Sequence, residues 1–264
     1  MDSGFTELAS VDGRITAVAE ATIPLKDDGL YRGDGVFEVV RLYAGRPFAL
    51  ADHYERLQRS ADAIELPIDR PALEAEVAAL LAAADDAEAQ LRLIVTRGGR
   101  RIAATEPVPE HAEAAAVASV VYQPTLILNG VKSLSYGANM QATRLARDRG
   151  ADEAVLVRPD GTVLEPPTSS IFWVSESELR TTALAAGVLA SITRDRLLAA
   201  LAVSEGEWTI GDLLGASEAF LASTTREIQP VHSVDGSELG AAPGPRTREA
   251  QEAFAATLAR ELGD

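Results

Sequence analysis

The chain has 264 residues, enough for one large or two modest domains, and its 47% hydrophobic and 24% charged content is that of a packed globular protein. A net charge of −16 at pH 7 opposes partnership with nucleic acid or an anionic membrane surface, and the absence of cysteine excludes disulfides, thiolate nucleophiles and Cys-based metal sites. The opening MDSGFTELASVDGR lacks the basic and apolar regions of a leader, and no apolar run reaches membrane-spanning length, so the expectation is a soluble cytoplasmic protein.

In chain order, 36–43 (VFEVVRLY) and 91–96 (LRLIVT) are short and rich in β-branched residues, and read as strands. Helical spacing marks 52–64 and 71–84, the second opened by Asp69 and Pro71. An Ala-, Pro- and Glu-rich segment at 103–116 leads to a strand VASVVY and then to QPTLILNG, which reads as a linker. Composition thus divides the chain into an N-terminal domain 1–121, a linker 122–129 and a C-terminal domain 130–264. In the second half, Asn139 is expected to cap a helix running to Arg149 and closed by Gly150, and EAVLVRPDGTVLE to turn over at Pro159-Asp160-Gly161. The strand SIFWV, the helix SITRDRLLAALA, the strand EAFLAST and a terminal amphipathic helix follow.

The sequence contains no GxGxxG after a strand, no GxxxxGK[ST] phosphate loop, no GxSxG elbow and no HExxH. Its three histidines (His53, His111 and His232) are scattered, so no metal site is expected. What remains is amine chemistry. Among 24 basic residues lysine occurs only as Lys26 and Lys132, and the second sits in a run of small and apolar residues. A desolvated lysine attacks carbonyls, which arginine cannot do, and its commonest cofactor use is a Schiff base with pyridoxal phosphate. A lone lysine is ordinarily a solvated charge, so the other parts of such a site must be found independently. Glu165, at a strand end before Pro166-Pro167-Thr168, offers an acid for a pyridinium nitrogen. The helix start at Ser191-Ile192-Thr193 and the run Ser223-Thr224-Thr225 offer anion contacts, and Arg56 offers a bidentate one.

In order, YRGDGVFEVVRLYAGRPFALADHYERLQRSA, KSLSY, GADEAVLVRPDGTVLEPPTSSIFWV, GVLASITRD and ASTTREIQPV resemble the class IV pyridoxal phosphate aminotransferases, or fold type IV, and the branched-chain aminotransferases among them. The resemblance implies an α+β fold of two domains, a small N-terminal α/β domain and a larger, β-barrel-like C-terminal domain that binds pyridoxal 5′-phosphate. It implies Lys132 as the Schiff-base lysine and proton carrier and Glu165 as partner of the ring nitrogen. Arg56, Ile192, Thr193 and Thr224 become phosphate ligands, with Leu189 against the ring and Tyr136 near its phenolic oxygen. Phe37, Arg41, Arg92, Arg97 and Thr225 become candidates for substrate binding.

The implied activity moves an amino group from an amino acid or primary amine to a 2-oxo acid by a ping-pong mechanism, in at least a homodimer. The alternatives are the lyase that eliminates pyruvate from 4-amino-4-deoxychorismate and an inactive binding protein on the same fold. Three departures from family patterns bear on substrate. RGGRRIA lacks the histidine of the Arg-x-His carried by D-amino acid enzymes, Arg32 stands where branched-chain enzymes have tyrosine, and Ser170 replaces a common asparagine.

Overall fold

The computed structural model describes residues 6–263; residues 1–5, part of the stretch behind the no-leader expectation, lie outside the described residues. The chain forms two compact units. One comprises Met1–Pro109 with Val131–Tyr136, the other Glu110–Gly130 with Gly137–Asp264. This differs from the division expected at 121 and 130. Ala115–Val121 pairs with strands of the second unit, and the segment around Lys132 packs with the first. Strand partners lie far away in sequence, so composition along the chain could not reveal them.

In the first unit, β1 (Leu8–Val11), β2 (Arg14–Ala17), α1 (Asp28–Arg32), β3 (Gly35–Tyr43), β4 (Arg46–Pro47), α2 (Leu50–Ala63), α3 (Arg70–Ala83), β5 (Ala89–Thr96) and β6 (Arg101–Glu106) follow in order. The strands make a six-stranded sheet ordered β2-β1-β6-β5-β3-β4, every pair antiparallel. Side chains alternate across a strand, so Val36, Val40 and Leu42 of β3 and Leu91, Leu93 and Val95 of β5 share one face. That face packs against Tyr54, Leu57 and Ala61 of α2 and Leu73, Val77 and Leu80 of α3. Asp69 caps α3 by accepting from Ala72 N–H at 3.2 Å. The Ala-rich segment begins as β6 rather than as irregular chain, because residues 101–106 complete the ladder beside β5.

The second unit contains β7 (Ala115–Val121), α4 (Gly137–Arg147), β8 (Glu153–Val157), β9 (Ser170–Ser175), β10 (Glu178–Thr182), α5 (Ile192–Ala200), β11 (Ser204–Gly206), α6 (Ile210–Leu214), β12 (Glu218–Ser223), β13 (Glu227–Val234), β14 (Ser237–Glu238) and α7 (Pro245–Leu262). Its mixed sheet runs β11-β10-β9-β12-β13-β7-β8, with β14 on β13. Beyond β8, Val163 bridges Val157 and donates its N–H to the Trp208 carbonyl at 2.8 Å, just past β11. The two ends of the sheet are thereby drawn toward each other, giving a barrel-like curl. Both faces are covered: Val155 and Val157 of β8 enter the core around Trp173, while Ala154 and Leu156 pack with Ala142 and Ala146 of α4. That is why EAVLV and SIFWV are apolar nearly throughout.

Asn139 lies inside the first turn of α4 instead of capping it. The helix begins at Gly137, where first-turn N–H groups need no intrahelical acceptor. Its other end closes on Gly150 at φ +81°, with Ala151 N–H donating to the Ala146 carbonyl at 3.1 Å and Gly150 N–H to Arg147 at 2.9 Å. This is the Schellman pattern.

Candidate active site

Lys132 is positioned by backbone pairing to the start of β3. Phe37 N–H donates to the Lys132 carbonyl at 3.0 Å and Leu134 N–H to the Gly35 carbonyl at 2.9 Å, while Lys132 N–H reaches Ser60 Oγ on α2 at 3.1 Å. Gly35 permits the approach: a Cβ there would fall 2.5 Å from the Val95 carbonyl oxygen and 2.7 Å from Leu134 Cδ1. Lys132 Nζ lies 4.4 Å from the centroid of the Phe37 ring, close enough for attraction between an ammonium and a ring face. Tyr136 meets Phe37 edge-to-face at 5.4 Å. Three predicted residues, Lys132, Phe37 and Tyr136, therefore stand together.

Arg56 belongs to a buried group that the sequence reading missed. Its Nε donates to Glu38 Oε1 at 2.7 Å and its Nη2 to Glu38 Oε2 at 2.6 Å, while His53 Nδ1 lies 2.8 Å from Oε2. Glu38 and His53 have no exposed surface. Burial opposes ionisation of Glu38, but Arg56 and then His53 outweigh it and bring its pKa down to about 2. Burial likewise lowers the pKa of His53, only partly opposed by Glu38, so the imidazole is neutral and gives its Nδ1–H to the carboxylate. A signal existed in the sequence. Glu38 is the one carboxylate on the helix-facing side of GVFEVVRLY, and His53 and Arg56 stand three apart, on one face of α2.

In the second unit, Glu165 Oε1 accepts from Leu189 N–H at 2.8 Å, joining two predicted residues and fixing the carboxylate by the backbone beside α5. Glu165 itself is held by Leu156 N–H, which donates to its carbonyl at 3.1 Å. Ser191 is the N-cap of α5 and its side chain accepts from Arg194 N–H. The N–H groups of Ile192 and Thr193 are first-turn donors without intrahelical acceptors, and both residues are buried. Thr224 and Thr225 form the turn between β12 and β13, half-buried.

Each of the predicted substrate arginines is paired with an acid of the first unit. On the sheet face opposite the α2–α3 core, Arg92 makes a bidentate pair with Glu106 at 2.7 and 2.9 Å. Arg41 pairs with Glu88 and lies over the Tyr43 ring. Arg97 binds Asp34 at 3.1 Å and the carbonyls of Ile64 and Glu65 at 2.6 Å each. Of the substrate candidates in the first unit, Phe37 is the one that meets Lys132.

Residues 35–234 match the family model for amino-transferase class IV. A D-alanine aminotransferase of Bacillus licheniformis is 32% identical, over 95% of this chain and 96% of its own length, although RGGRRIA lacks the histidine expected of D-amino acid enzymes. The branched-chain aminotransferase of the archaeon Thermoproteus uzoniensis, solved with norvaline, superposes with a TM-score of 0.87 at 28% identity, covering 97% of this chain and 96% of that one. A hypothetical aminotransferase from Mycobacterium tuberculosis in its PLP-bound form gives a TM-score of 0.87 at 25% identity, covering 96% and 98%.

Proposed function

Because the chain belongs to the class IV aminotransferases, enzymes that depend on pyridoxal phosphate, we propose that Lys132 is the residue that bonds the cofactor as a Schiff base and carries the substrate's proton. The observation behind this is the placement of Lys132, one of two lysines in the chain, pinned to β3 with Nζ over the Phe37 ring. The residues suit such a cofactor. The paired donors of Ile192 and Thr193 at the start of a nine-residue helix suit a phosphate, whereas the Nε–Nη2 edge of Arg56 is taken by Glu38, so a phosphate contact from Arg56 rests on the family resemblance. A carboxylate oriented by Leu189 N–H suits a protonated ring nitrogen.

When bound, pyridoxal phosphate supplies an electron-withdrawing ring that accepts the electron pair left as the substrate loses its α-proton. Glu165 keeps a proton on the ring nitrogen by staying ionised beside it. Lys132 Nζ takes the α-proton as general base and returns it as general acid. Ile192, Thr193, Thr224 and Arg56 would hold the phosphate, Leu189 would stand toward the ring, and Tyr136 toward the phenolic oxygen. Phe37 and Thr225 contact substrate, with Arg41, Arg92 and Arg97 shaping the surroundings through their acid pairs.

The donor is read as an amino acid with an uncharged side chain, since these arginines are already paired with acids and the relatives named above act, by name, on D-alanine and branched-chain amino acids. The acceptor is a 2-oxo acid. We further read a cytoplasmic homodimer, supported by exposed Leu25, Leu30, Tyr31, Leu126 and Ile127, by the net charge of −16, and by a set of described residues in which no helix is long and apolar enough to cross a membrane. The test is a half-reaction. A donor alone should release its oxo acid once per bound cofactor and then stop until a 2-oxo acid is added, whereas continuous pyruvate release from aminodeoxychorismate without an acceptor would overturn the transaminase reading. Running both enantiomers of alanine and valine assigns the stereochemistry.

A further inference from the structure

The turn that carries Thr224 and the turn that follows Glu165 are tied together by a buried ion pair with no part in the chemistry above. Glu153, at the start of β8, is the hub. Its Oε1 accepts from Thr143 Oγ1 on α4 at 2.9 Å and from Ala154 N–H at 3.1 Å. Its Oε2 accepts from Thr168 Oγ1 at 3.0 Å and from Arg226 Nη2 at 2.7 Å. Thr168 stands three residues after Glu165, and Arg226 two after Thr224. Arg226 Nη1 also donates to Gln229 Oε1 at 2.7 Å, and Gln229 Nε2 to the Ala112 carbonyl at 2.7 Å. The side chains of Arg226 and Glu153 are only 10% and 3% exposed, so each would be costly to bury without the other. Burial weakens the hold of Arg226 on its proton, and Glu153 opposes this only in part.

We propose that Glu153 and Arg226 form a clasp that holds the Thr168 turn and the Thr224 turn at one fixed separation, making Arg226 a positioning residue for the cofactor's phosphate. The proposal rests on the reading of Thr224 as a phosphate contact. A charged, forked side chain suits the task because it meets Glu153 and Gln229 at once, from a turn whose backbone is otherwise pinned by Arg226 N–H on Ser223 Oγ at 3.2 Å. Lysine at this position would keep the charge and lose the fork.

The readout is the preference for phosphate. After removal of bound cofactor, the parent protein, Arg226→Lys, Thr168→Val and Thr224→Val are each titrated with pyridoxal phosphate and with pyridoxal, well below the melting temperature of each. The expected result is that Arg226→Lys loses about tenfold of the parent's preference for the phosphorylated form, Thr168→Val a smaller share, and Thr224→Val a comparable one. A purely structural ion pair would lower the melting temperature and leave the ratio unchanged. If Thr224→Val loses the preference while folded Arg226→Lys and Thr168→Val keep it, the clasp is overturned and the phosphate reading stands. If all three keep it, the phosphate reading fails and the clasp with it. Should Arg226→Lys not fold, Thr168→Val, which removes a single hydroxyl from the clasp, decides the matter.

Discussion

Lys132 and Phe37 are joined twice, by the Phe37 N–H on the Lys132 carbonyl at 3.0 Å and by the Phe37 ring 4.4 Å from Nζ. The amine is therefore aimed by β3, a strand paired with β5 from Gly35 to Leu42. Borohydride reduction of the holoenzyme should leave the cofactor on the Lys132 peptide, with Lys132→Ala losing turnover. Recovery of the adduct on Lys26 would refute the assignment. Phe37→Leu, which keeps an apolar side chain and removes the ring, should lower kcat about tenfold, or about 1.4 kcal/mol, with the adduct still on Lys132.

Glu38 should matter to a cofactor it is not proposed to touch. Replacing it with Gln leaves Arg56 buried without its counter-charge, and cofactor affinity in the folded protein should fall about tenfold as the fork loses its orientation. Equilibrium titration of the variant is the check, and an unchanged dissociation constant would separate Arg56 orientation from binding.

The same group sets an acid limit on stability. The pKa of Glu38 is about 2 in the folded protein against an ordinary 4.5, so its contribution is present above 4.5 and is lost as pH falls from there toward about 2. His53, also depressed in the folded state, must take up a proton on unfolding below its ordinary 6.5, so it too favours the unfolded chain in acid. Denaturant unfolding should show stability falling below pH 6.5 and more steeply below 4.5. Glu38→Gln should flatten the lower part of that profile, by a few kcal/mol in order of magnitude.

Glu165→Gln removes the charge proposed to hold the ring proton while keeping an oxygen for Leu189 N–H. The expected loss is roughly a hundredfold or more in kcat, at roughly 1.4 kcal/mol per tenfold, with unfolding midpoints close to the parent's. Parent-like rates from pre-steady-state measurement would show that another acid serves the ring.

Glu218 provides a contrast remote from the proposed chemistry. It is buried at the start of β12, and its oxygens accept from the Arg246 and Thr247 N–H groups at 3.1 and 3.0 Å and from Thr247 Oγ1 at 2.9 Å, capping α7. Glu218→Ala should destabilise the protein by about 1–3 kcal/mol in urea unfolding and leave kcat of the folded enzyme unchanged.

The signals that single out Lys132 and Glu165 are local: a rare residue type in an apolar run, and a carboxylate between a strand and a proline turn. The helix start at Ser191 was legible for the same reason. Glu38 and His53 left a fainter signal, a carboxylate on the apolar side of a strand and a histidine three residues before an arginine, which acquires meaning only when β3 and α2 meet. Asn139 misled in the opposite sense, a favourable cap residue overtaken by a helix that began two residues earlier.

The ordered motifs carried the resemblance to the family and, through it, the cofactor, while most of the elements could be read because periodicity, capping and turn chemistry act within a few residues. Partners at a distance were decided only by the tertiary structure. Arg92 could be read as a fork for a substrate carboxylate, yet the β5–β6 register, with Gln90 opposite Glu106, sets its guanidinium against that glutamate. Ala115–Val121 could be read as the last strand of the first domain, yet its hydrogen bonds go to β8 and β13. A side chain's chemistry is a property of its own atoms, but the charge it meets depends on which strands pair, and that is settled by burying apolar faces across the whole sheet.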